Sequence, residues 1–277
     1  MRSNTIDVRP LGSTVGAEIS GLDLAIPLAG SALATVKGAL AEHGVVFFRD
    51  QMLTENQHIA LARQFGEIDI NRFFSHAEGY PEVALVVKEP HQTRNIGGGW
   101  HTDHSYDQIP ALGSMLYARE IPPRGGDTLF ASMYAAYDAL SDGLKCTLEG
   151  MRGIHSSRHV FGVKRGDLAG RIGNYDAATQ DATHPVVITH PDSGKKALYV
   201  NPGFTIGFEG WTADESKPLL DYLYKHAIRP EFTYRFQWQE GSLAFWDNRA
   251  TWHYALNDYQ GERRLLHRIT IGGCALG

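Results

Sequence analysis

The sequence is poor in cysteine, in long apolar runs and in excess positive charge. It has two cysteines, Cys146 and Cys274, in 277 residues, which excludes a disulfide framework and a cysteine-based zinc site. No run approaches the roughly 18 apolar residues of a membrane span, and the first residues lead into no apolar signal segment. These absences favour a protein of the reducing cytoplasm that has no membrane partner.

The charge balance excludes another class of partner. Lys and Arg number 26 against 31 Asp and Glu, a net charge of −5, so a general nucleic-acid binder is not expected. The chain shows no internal repeat and no charge-rich linker, and its length suffices for a large core. We predict a single domain over residues 1–277 that acts on a small molecule.

Many short segments have the pattern of strands, whereas helical segments gather early and in one late stretch. Helices are predicted over 31–43, ending at Gly44, and after the capping-box residues Thr54 and Thr212. The loop 121–126 between two predicted strands is typical of a hairpin. This distribution favours a mainly β fold, with a double sheet and peripheral helices, over a doubly wound sheet.

Two segments lack a regular pattern. Residues 161–183 are polar and show no sustained period, and a stretch of this length in a compact domain is usually a lid or a binding loop. We predict a lid. The three consecutive glycines of 97–99 either let the backbone approach a ligand closely or form a flexible turn.

A candidate metal site begins with His101 and Asp103, whose side chains share a face if the segment is extended. Such a pair alone is a weak signal, but His253 lies after a predicted strand, 150 residues beyond Asp103 (253 − 103). Two histidines and one carboxylate leave three octahedral positions open, which suits non-haem Fe(II), a 2-oxo acid and O₂. A zinc hydrolase and a non-catalytic binding protein remain alternatives.

The oxo acid would need a cation at its far end. Arg264 and Arg268 lie on one face of the last predicted strand. A guanidinium can bind a carboxylate through two hydrogen bonds, and Thr128 can add a hydroxyl donor. The alternative for either arginine is an ion pair at the surface.

Four motifs together resemble those of the taurine/2-oxoglutarate dioxygenase (TauD/TfdA) family. Their order and spacing agree with that family from about Val8 to Gly273. The motifs are Trp100-His101-Thr102-Asp103, Gly125-Gly126-Asp127-Thr128-Leu129, Trp246-Asp247-Asn248-Arg249 with His253, and Arg264 with His267-Arg268.

The resemblance implies a double-stranded β-helix, or jelly roll, and a dioxygenase that uses Fe(II), O₂ and 2-oxoglutarate. Such an enzyme hydroxylates an unactivated C–H bond and releases succinate and CO₂; the hydroxylated product can then lose a group by C–O or C–S cleavage. Relatives suggest a homodimer or tetramer. The implied iron ligands are His101, Asp103 and His253, the implied contacts to the distal carboxylate of 2-oxoglutarate are Thr128 and Arg268, and Arg264 has a supporting role.

The substrate region departs from taurine oxidisers of this family. They place a histidine and a tyrosine in the segment that here spans 71–74, and an asparagine where this chain has Gly97. Asn71 and Phe74 therefore replace polar contacts to sulfonate and amine. With Phe161 and Phe204 as further walls, the pocket is expected to be apolar and to suit a larger, aromatic substrate.

Two other stretches favour one branch of the family. Residues 78–83 and 159–162 are similar to the branch that cleaves aryloxyalkanoate ethers. The substrate is thus expected to be a small organic anion, aryloxyalkanoate-like or sulfonate-like. Arg72 either contacts its anion or is solvated.

Five residues near the motifs are given supporting interpretations. The histidines His104, His155 and His267 have no obvious partners and are predicted to be structural or solvent-facing, not a fourth metal ligand. Asp247 and Asn248 are expected to hold the loop that presents His253 through local hydrogen bonds.

Overall fold

The structure, a computed structural model, describes residues 5–164, 166–168 and 170–277. The strands are β1 (Asp7–Pro10), β2 (Ala17–Ser20), β3 (Val45–Phe48), β4 (Ile68–Asp69), β5 (His76–Ala77), β6 (Tyr80–Lys88), β7 (Gly113–Glu120), β8 (Thr128–Ser132), β9 (Arg152–Ser156), β10 (Asp181–Pro185), β11 (Val187–Thr189), β12 (Lys196–Leu198), β13 (Thr205–Phe208), β14 (Thr233–Phe236), β15 (Leu243–Asp247), β16 (Thr251–Ala255) and β17 (Arg264–Ile271). The α-helices are α1 (Gly30–His43), α2 (Glu55–Arg63), α3 (Met133–Asp138), α4 (Asp142–Leu148), α5 (Arg158–Phe161) and α6 (Ala213–Ala227).

Two sheets face each other across a common core. The large sheet has the order β1-β2-β3-β15-β7-β17-β6-β5, with β4 paired to β17, and the facing sheet has the order β14-β8-β16. Apolar side chains from both sheets form one cluster, in which the ring of Phe47 on β3 stacks on that of Phe236 on β14 at 4.0 Å. The prediction of a double-sheet β core is confirmed, and the arrangement is that of a jelly roll.

The early helices cover the outer face of the large sheet. Val36 and Leu40 of α1 and Ile59 of α2 pack in one cluster with Ile269 and Ile271 of β17. The sequence determines where these helices start and stop. The Thr54 hydroxyl accepts the backbone N–H of Gln57 in a capping box, and Gly44 ends α1 with φ 72°, a conformation that favours glycine.

The predicted hairpin across 121–126 is wrong. Strand β7 belongs to the large sheet and β8 to the facing sheet, so the loop crosses between the sheets. Leu116 of β7 and Phe130 of β8 are buried in the same cluster, and burying both apolar faces requires the strands to lie on opposite sides of the core. Turn residues predict a change of direction; they do not determine whether the flanking strands pair.

The segment predicted as a lid packs over one end of the sandwich. It contains two short 3₁₀ turns, Gly166–Leu168 and Tyr175–Ala177, and its last residues, 181–183, belong to β10. Ile172 forms an isolated β-bridge with Phe74, and the Phe161 ring stacks on Phe73 at 4.2 Å. Arg165 and Ala169 of this segment lie outside the described residues.

The absences noted in the sequence have structural counterparts. Cys146 and Cys274 are both exposed and unpaired. Within 5–164, 166–168 and 170–277, no helix combines the length and the apolar character needed to cross a bilayer.

Candidate functional site

Backbone pairing brings two distant histidines together. The His101 N–H donates to the carbonyl of His253 (3.1 Å), and the His253 N–H donates to the carbonyl of His101 (2.8 Å). Their ring centroids are 4.1 Å apart. His253 is the middle residue of β16, so the facing sheet fixes the direction of its side chain.

Asp103 completes a cluster of three ligand-type side chains. Its Oδ1 is 3.7 Å from Nε2 of His101, and its Oδ2 is 3.7 Å from Nε2 of His253. One ligand atom from each residue lies within 4.8 Å of the others. Thr102 holds the turn in place because its hydroxyl donates to the carbonyl of Asn248 at 2.6 Å.

The protonation states of the cluster suit a metal ion. Burial opposes ionisation of Asp103, but the charge of Arg268 and the neighbouring histidines outweigh it and lower the pKa of that carboxyl below its usual value. Burial, reinforced by His101, lowers the pKa of His253 well below its usual value. Nδ1 of His101 donates to the carbonyl of Gly99 (2.8 Å), which leaves its Nε2 lone pair for a metal. A carboxylate and two imidazoles whose Nε2 atoms lie beside it fit ferrous iron with open positions.

The cluster lies in the wall of a cavity of about 930 Å³. The same cavity is lined by every residue that the sequence assigned to iron, oxo acid or substrate, whereas Arg72, for which a contact to the substrate anion was one alternative, is not among its lining residues and pairs with Asp107. These lining residues are His101, Asp103, His253, Thr128, Arg264, Arg268, Asn71, Phe74, Gly97, Phe161 and Phe204.

At one end of the cavity, Thr128 and Arg264 offer hydrogen-bond donors. The indole Nε1–H of Trp238 donates to the Thr128 hydroxyl at 3.0 Å, so the hydroxyl hydrogen is left to donate elsewhere. The Arg264 guanidinium lies 5.7 Å from the Trp238 ring centre, and its Nε and Nη2 have no hydrogen-bond partner among the described residues. Both side chains therefore present unused donors.

Arg264 is a buried cation. It is 3% exposed, and burial lowers its pKa, with Tyr259 and Asp127 opposing this shift. The Asp127 carboxylate is itself occupied by Arg235, whose Nε lies 2.6 Å away. A further anion would stabilise a buried guanidinium whose neighbouring carboxylate is already bound by another cation.

Arg268 lies at the metal cluster. Its Nη2 is 2.9 Å from Oδ2 of Asp103, its Nε donates to the Ser114 hydroxyl at 3.2 Å, and its guanidinium is 5.7 Å from the Phe74 ring centre. The sequence expected Arg268 to join Thr128 at the oxo acid, with Arg264 in support. The structure places Arg264 beside the tryptophan that binds Thr128, and Arg268 beside Asp103.

Aromatic rings form another part of the cavity wall. Phe161 and Phe204 stack with centroids 6.0 Å apart, and the Tyr106 ring meets Phe204 edge-on at 4.8 Å. The Asn71 side chain is buried, and its Oδ1 accepts the backbone N–H groups of Phe73 and Phe74 at 2.9 and 3.0 Å. In this structure Asn71 orders the segment that carries Phe74.

Gly97 lies against the imidazole ring of His101. A Cβ at this position would be 3.3 Å from Cε1 of His101, and the backbone has φ +77°, which side chains rarely adopt. Its carbonyl accepts the N–H of Ala255 at 3.0 Å. Close approach is thus the reason for glycine at 97. At Gly99 a Cβ would meet nothing within 4 Å.

The remaining sequence candidates separate clearly. His155 contacts Thr205 and His184, and His267 faces Glu55 of α2, so both lie away from the cluster. Asp247 accepts the backbone N–H of Arg249, which confirms the expected local hydrogen bonds before β16.

Three residues of the site were missed by sequence reasoning: Trp238, Ser114 and Tyr106. Trp238 follows β14 and Ser114 lies on β7, and neither has a motif neighbour that would mark it. Tyr106 had a signal, because it follows Asp103 by three residues and an aromatic there can reach the same cavity.

Comparison with known proteins agrees with this geometry. The family model described as "Taurine catabolism dioxygenase TauD, TfdA family" matches residues 7–270. An alkylsulfatase of Acinetobacter baylyi is 35% identical over 97% of this chain and 85% of its own length. An alpha-ketoglutarate-dependent 2,4-dichlorophenoxyacetate dioxygenase of Cupriavidus pinatubonensis is 34% identical, over 96% and 97%. The crystal structure of a taurine dioxygenase from Burkholderia xenovorans superposes with a TM-score of 0.82 at 38% identity, covering 98% of this chain and 90% of that one.

Proposed function

The chain belongs to the TauD/TfdA family, and from that premise we propose how its residues divide the work of an Fe(II)- and 2-oxoglutarate-dependent dioxygenase. His101, Asp103 and His253 hold the iron. The observation that supports this is the convergence of three ligand atoms in the wall of a deep cavity. Iron and O₂ supply the oxidising power, and 2-oxoglutarate is converted to succinate and CO₂ as the substrate is hydroxylated.

Thr128 and Arg264 bind the distal carboxylate of 2-oxoglutarate. The Thr128 hydroxyl hydrogen and the Arg264 Nε and Nη2 lie at one end of the cavity, and within the part of the chain that the structure describes they have no hydrogen-bond acceptor. A carboxylate there would accept charge-assisted hydrogen bonds and would compensate a buried cation. This arrangement exchanges the roles that the sequence suggested for the two arginines.

Arg268 binds the anion of the substrate. Its guanidinium lies between the metal cluster and Phe74, and among the residues that the structure describes its Nη2 has no partner besides the ion pair with Asp103. An anion placed there would put the adjoining carbon near the metal while the aromatic wall covers the rest of the molecule. The protein thereby orients the target C–H bond and excludes water from it.

The substrate is an organic anion with an apolar body. Two named relatives act on molecules of this kind, an alkyl sulfate and 2,4-dichlorophenoxyacetate. In both, the carbon that would be hydroxylated carries an oxygen, so the product can collapse to a carbonyl compound with loss of sulfate or phenol. Phe161, Phe204 and Tyr106 favour substrates with an extended apolar part.

A substrate panel tests the proposal. Alkyl sulfates, aryloxyalkanoates, alkyl sulfonates and taurine are incubated with Fe(II), 2-oxoglutarate and O₂, and succinate is measured against a control without substrate. We expect substrate-dependent succinate with an apolar sulfate ester or aryloxyalkanoate and little with taurine. Turnover that needs Zn²⁺ but neither 2-oxoglutarate nor O₂ would overturn the proposal.

Broader features of the chain are proposed with it. Residues 1–277 form one dioxygenase domain whose segment 161–183 is a lid, and the chain acts in the cytoplasm as a homodimer or tetramer. It has no nucleic-acid or membrane partner. The net charge of −5 and the unpaired cysteines support the location and the absence of a nucleic-acid partner.

A further inference from the structure

The hydroxyl group of Tyr106 lies in the wall of the cavity without a protein partner. The residue lines the cavity and is 2% exposed, and its hydroxyl makes no hydrogen bond with any residue that the structure describes. Neighbouring atoms do not seal this hydroxyl, whereas the unpartnered hydroxyl of Tyr199 is fully enclosed. Because the rest of the side chain is buried, the surface that remains to the Tyr106 hydroxyl faces the cavity, where a ligand can reach it.

The ring of Tyr106 is held by its neighbours. It meets Phe204 edge-on at 4.8 Å and Phe161 edge-on at 5.9 Å. The imidazole of His104 lies 5.6 Å from the ring, and its Nδ1 donates to the Asp107 carboxylate at 2.9 Å. A ring packed in this way presents its hydroxyl at one position, so little conformational entropy is lost when a ligand accepts its hydrogen bond.

The same hydroxyl is a donor that lies close to the reaction centre. Burial raises the pKa of Tyr106 well above its usual value, with the carboxylates of Asp107 and Asp103 acting in the same direction and the guanidinium groups of Arg72 and Arg268 opposing it. The charges of the metal cluster and of the proposed anion-binding arginine thus both reach this hydroxyl. It keeps its proton at neutral pH and can donate it in a hydrogen bond.

The position of Tyr106 selects the kind of acceptor. The neighbouring wall residues Phe161 and Phe204 have no polar side-chain atoms, so this wall accommodates the apolar body of a substrate while Arg268 binds the charged head. A neutral phenol on the same wall suits an uncharged oxygen where head and body meet. In an alkyl sulfate this is the ester oxygen and in an aryloxyalkanoate the ether oxygen, each bonded to the carbon that would be hydroxylated.

We propose that Tyr106 is a specificity-determining residue whose hydroxyl donates a hydrogen bond to the ester or ether oxygen bonded to the target carbon. With Arg268 on the head group, this second contact orients the target C–H bond. A substrate with a methylene group in place of that oxygen leaves the hydroxyl unpaired and binds less tightly. The inference rests on the proposed function and names the feature of the substrate that the site recognises.

Paired ligands that differ in one position test this contact. Octyl sulfate is compared with nonyl sulfonate, and phenoxyacetate with hydrocinnamate, so that each pair exchanges the oxygen for a methylene group. Dissociation constants are measured anaerobically on the enzyme loaded with Fe(II) and 2-oxoglutarate, which removes any dependence on turnover. We expect Tyr106→Phe to weaken binding of the oxygen-linked ligands roughly 10-fold and to leave the methylene-linked ligands within about twofold.

Two results would overturn the inference. Equal weakening of both members of a pair would place the hydroxyl on the head group or assign it to the shape of the wall, and unchanged binding of the oxygen-linked ligands would remove the contact. Tyr199→Phe is the matched control, because it deletes another buried hydroxyl that has no partner among the described residues but does not line the cavity.

Two further measurements keep the interpretation clear. Tyr106→Phe retains the ring and its packing, and its Fe(II) affinity is expected to equal that of the unmodified enzyme, which shows that the site is intact. Failure of the proposed function would look different, since the unmodified enzyme would then give no succinate that depends on either oxygen-linked ligand.

Discussion

Arg264 and Arg268 lie on one face of β17 but contact different groups. Residues four apart on a strand have Cα atoms about 13 Å apart, so their guanidinium groups can reach different parts of the cavity. The partners of each side chain decide the assignment. Arg264 lies near Trp238, which binds Thr128, and Arg268 lies against Asp103.

Replacing these arginines one at a time should therefore have different kinetic effects. We expect Arg264→Ala to raise the KM for 2-oxoglutarate by roughly 10- to 100-fold, because charge-assisted hydrogen bonds are lost. Arg268→Ala should raise mainly the KM for the primary substrate. Steady-state kinetics with each substrate varied in turn measures both. The reverse pattern would restore the assignment of Arg268 to the oxo acid.

A second residue-scale prediction concerns the space beside His101. Gly97→Ala would place a Cβ 3.3 Å from the His101 ring in a backbone with φ +77°. We expect iron affinity to fall roughly 10-fold, since the ligand ring must shift, together with a loss of turnover. Gly99→Ala is the matched control, because its Cβ would meet nothing within 4 Å. Equal iron affinity in the two variants would contradict this account, and anaerobic equilibrium dialysis measures it.

At the scale of elements, the proposed lid is hydrogen-bonded to three neighbouring parts of the chain. Arg171, which is 3% exposed, donates from Nη1 to the carbonyls of Val87 (3.2 Å) and Arg94 (2.9 Å). The N–H of Gly173 donates to the carbonyl of Phe73 (2.8 Å). These bonds join the segment to β6, to the loop after β6 and to the segment that carries Phe74.

Loss of the Arg171 side chain should loosen this segment selectively. We expect amide hydrogen exchange in residues 170–178 to accelerate about 10-fold or more in Arg171→Ala, with core strands such as β7 unchanged. In the unmodified protein, 2-oxoglutarate and substrate together should slow exchange in the same residues. Arg229→Ala, which removes an exposed ion pair with Glu231, is the control. Equal exchange with and without ligands would argue against a lid.

At the scale of the whole molecule, buried neutral histidines make stability depend on pH. Burial, with help from His267 and Arg119, lowers the pKa of His58 to about 3, and burial lowers the pKa of His155 to about 3 as well. The unfolded chain binds a proton at each ring below about pH 6.5, whereas the folded chain does not until about pH 3. The unfolded state therefore binds more protons in this window, and stability falls as the pH drops from 6.5 towards 3.

Removing one such ring should make the free energy of unfolding depend less on pH under acidic conditions. Neither ring nitrogen of His58 has a hydrogen-bond partner among the described residues, so His58→Leu leaves no partner unpaired. We expect the free energy of unfolding of His58→Leu, measured in urea from pH 7.5 to 4.5, to decline less than that of the unmodified protein. His91→Asn is the exposed control. Parallel curves for His58→Leu and the unmodified protein would contradict the prediction.

Local signals predicted the elements well and their pairing less well. The capping boxes at Thr54 and Thr212 and the glycine at 44 are contacts within a few residues, so sequence reveals them. The loop 121–126 was misread because a hairpin and a crossover between sheets use the same turn residues. Which one forms depends on where Leu116 and Phe130 are buried, and that is a property of the whole core.

The sequence by itself determined the chemistry: two histidines, one carboxylate, a threonine and two arginines, in an order that identifies the family. Only the tertiary structure decided which arginine lies beside Asp103 and which lies beside the tryptophan that binds Thr128. The reason is physical. Residue type fixes which bonds a side chain can make, whereas its partners come from strands distant in sequence, such as β7, β14 and β16, whose packing no local pattern encodes.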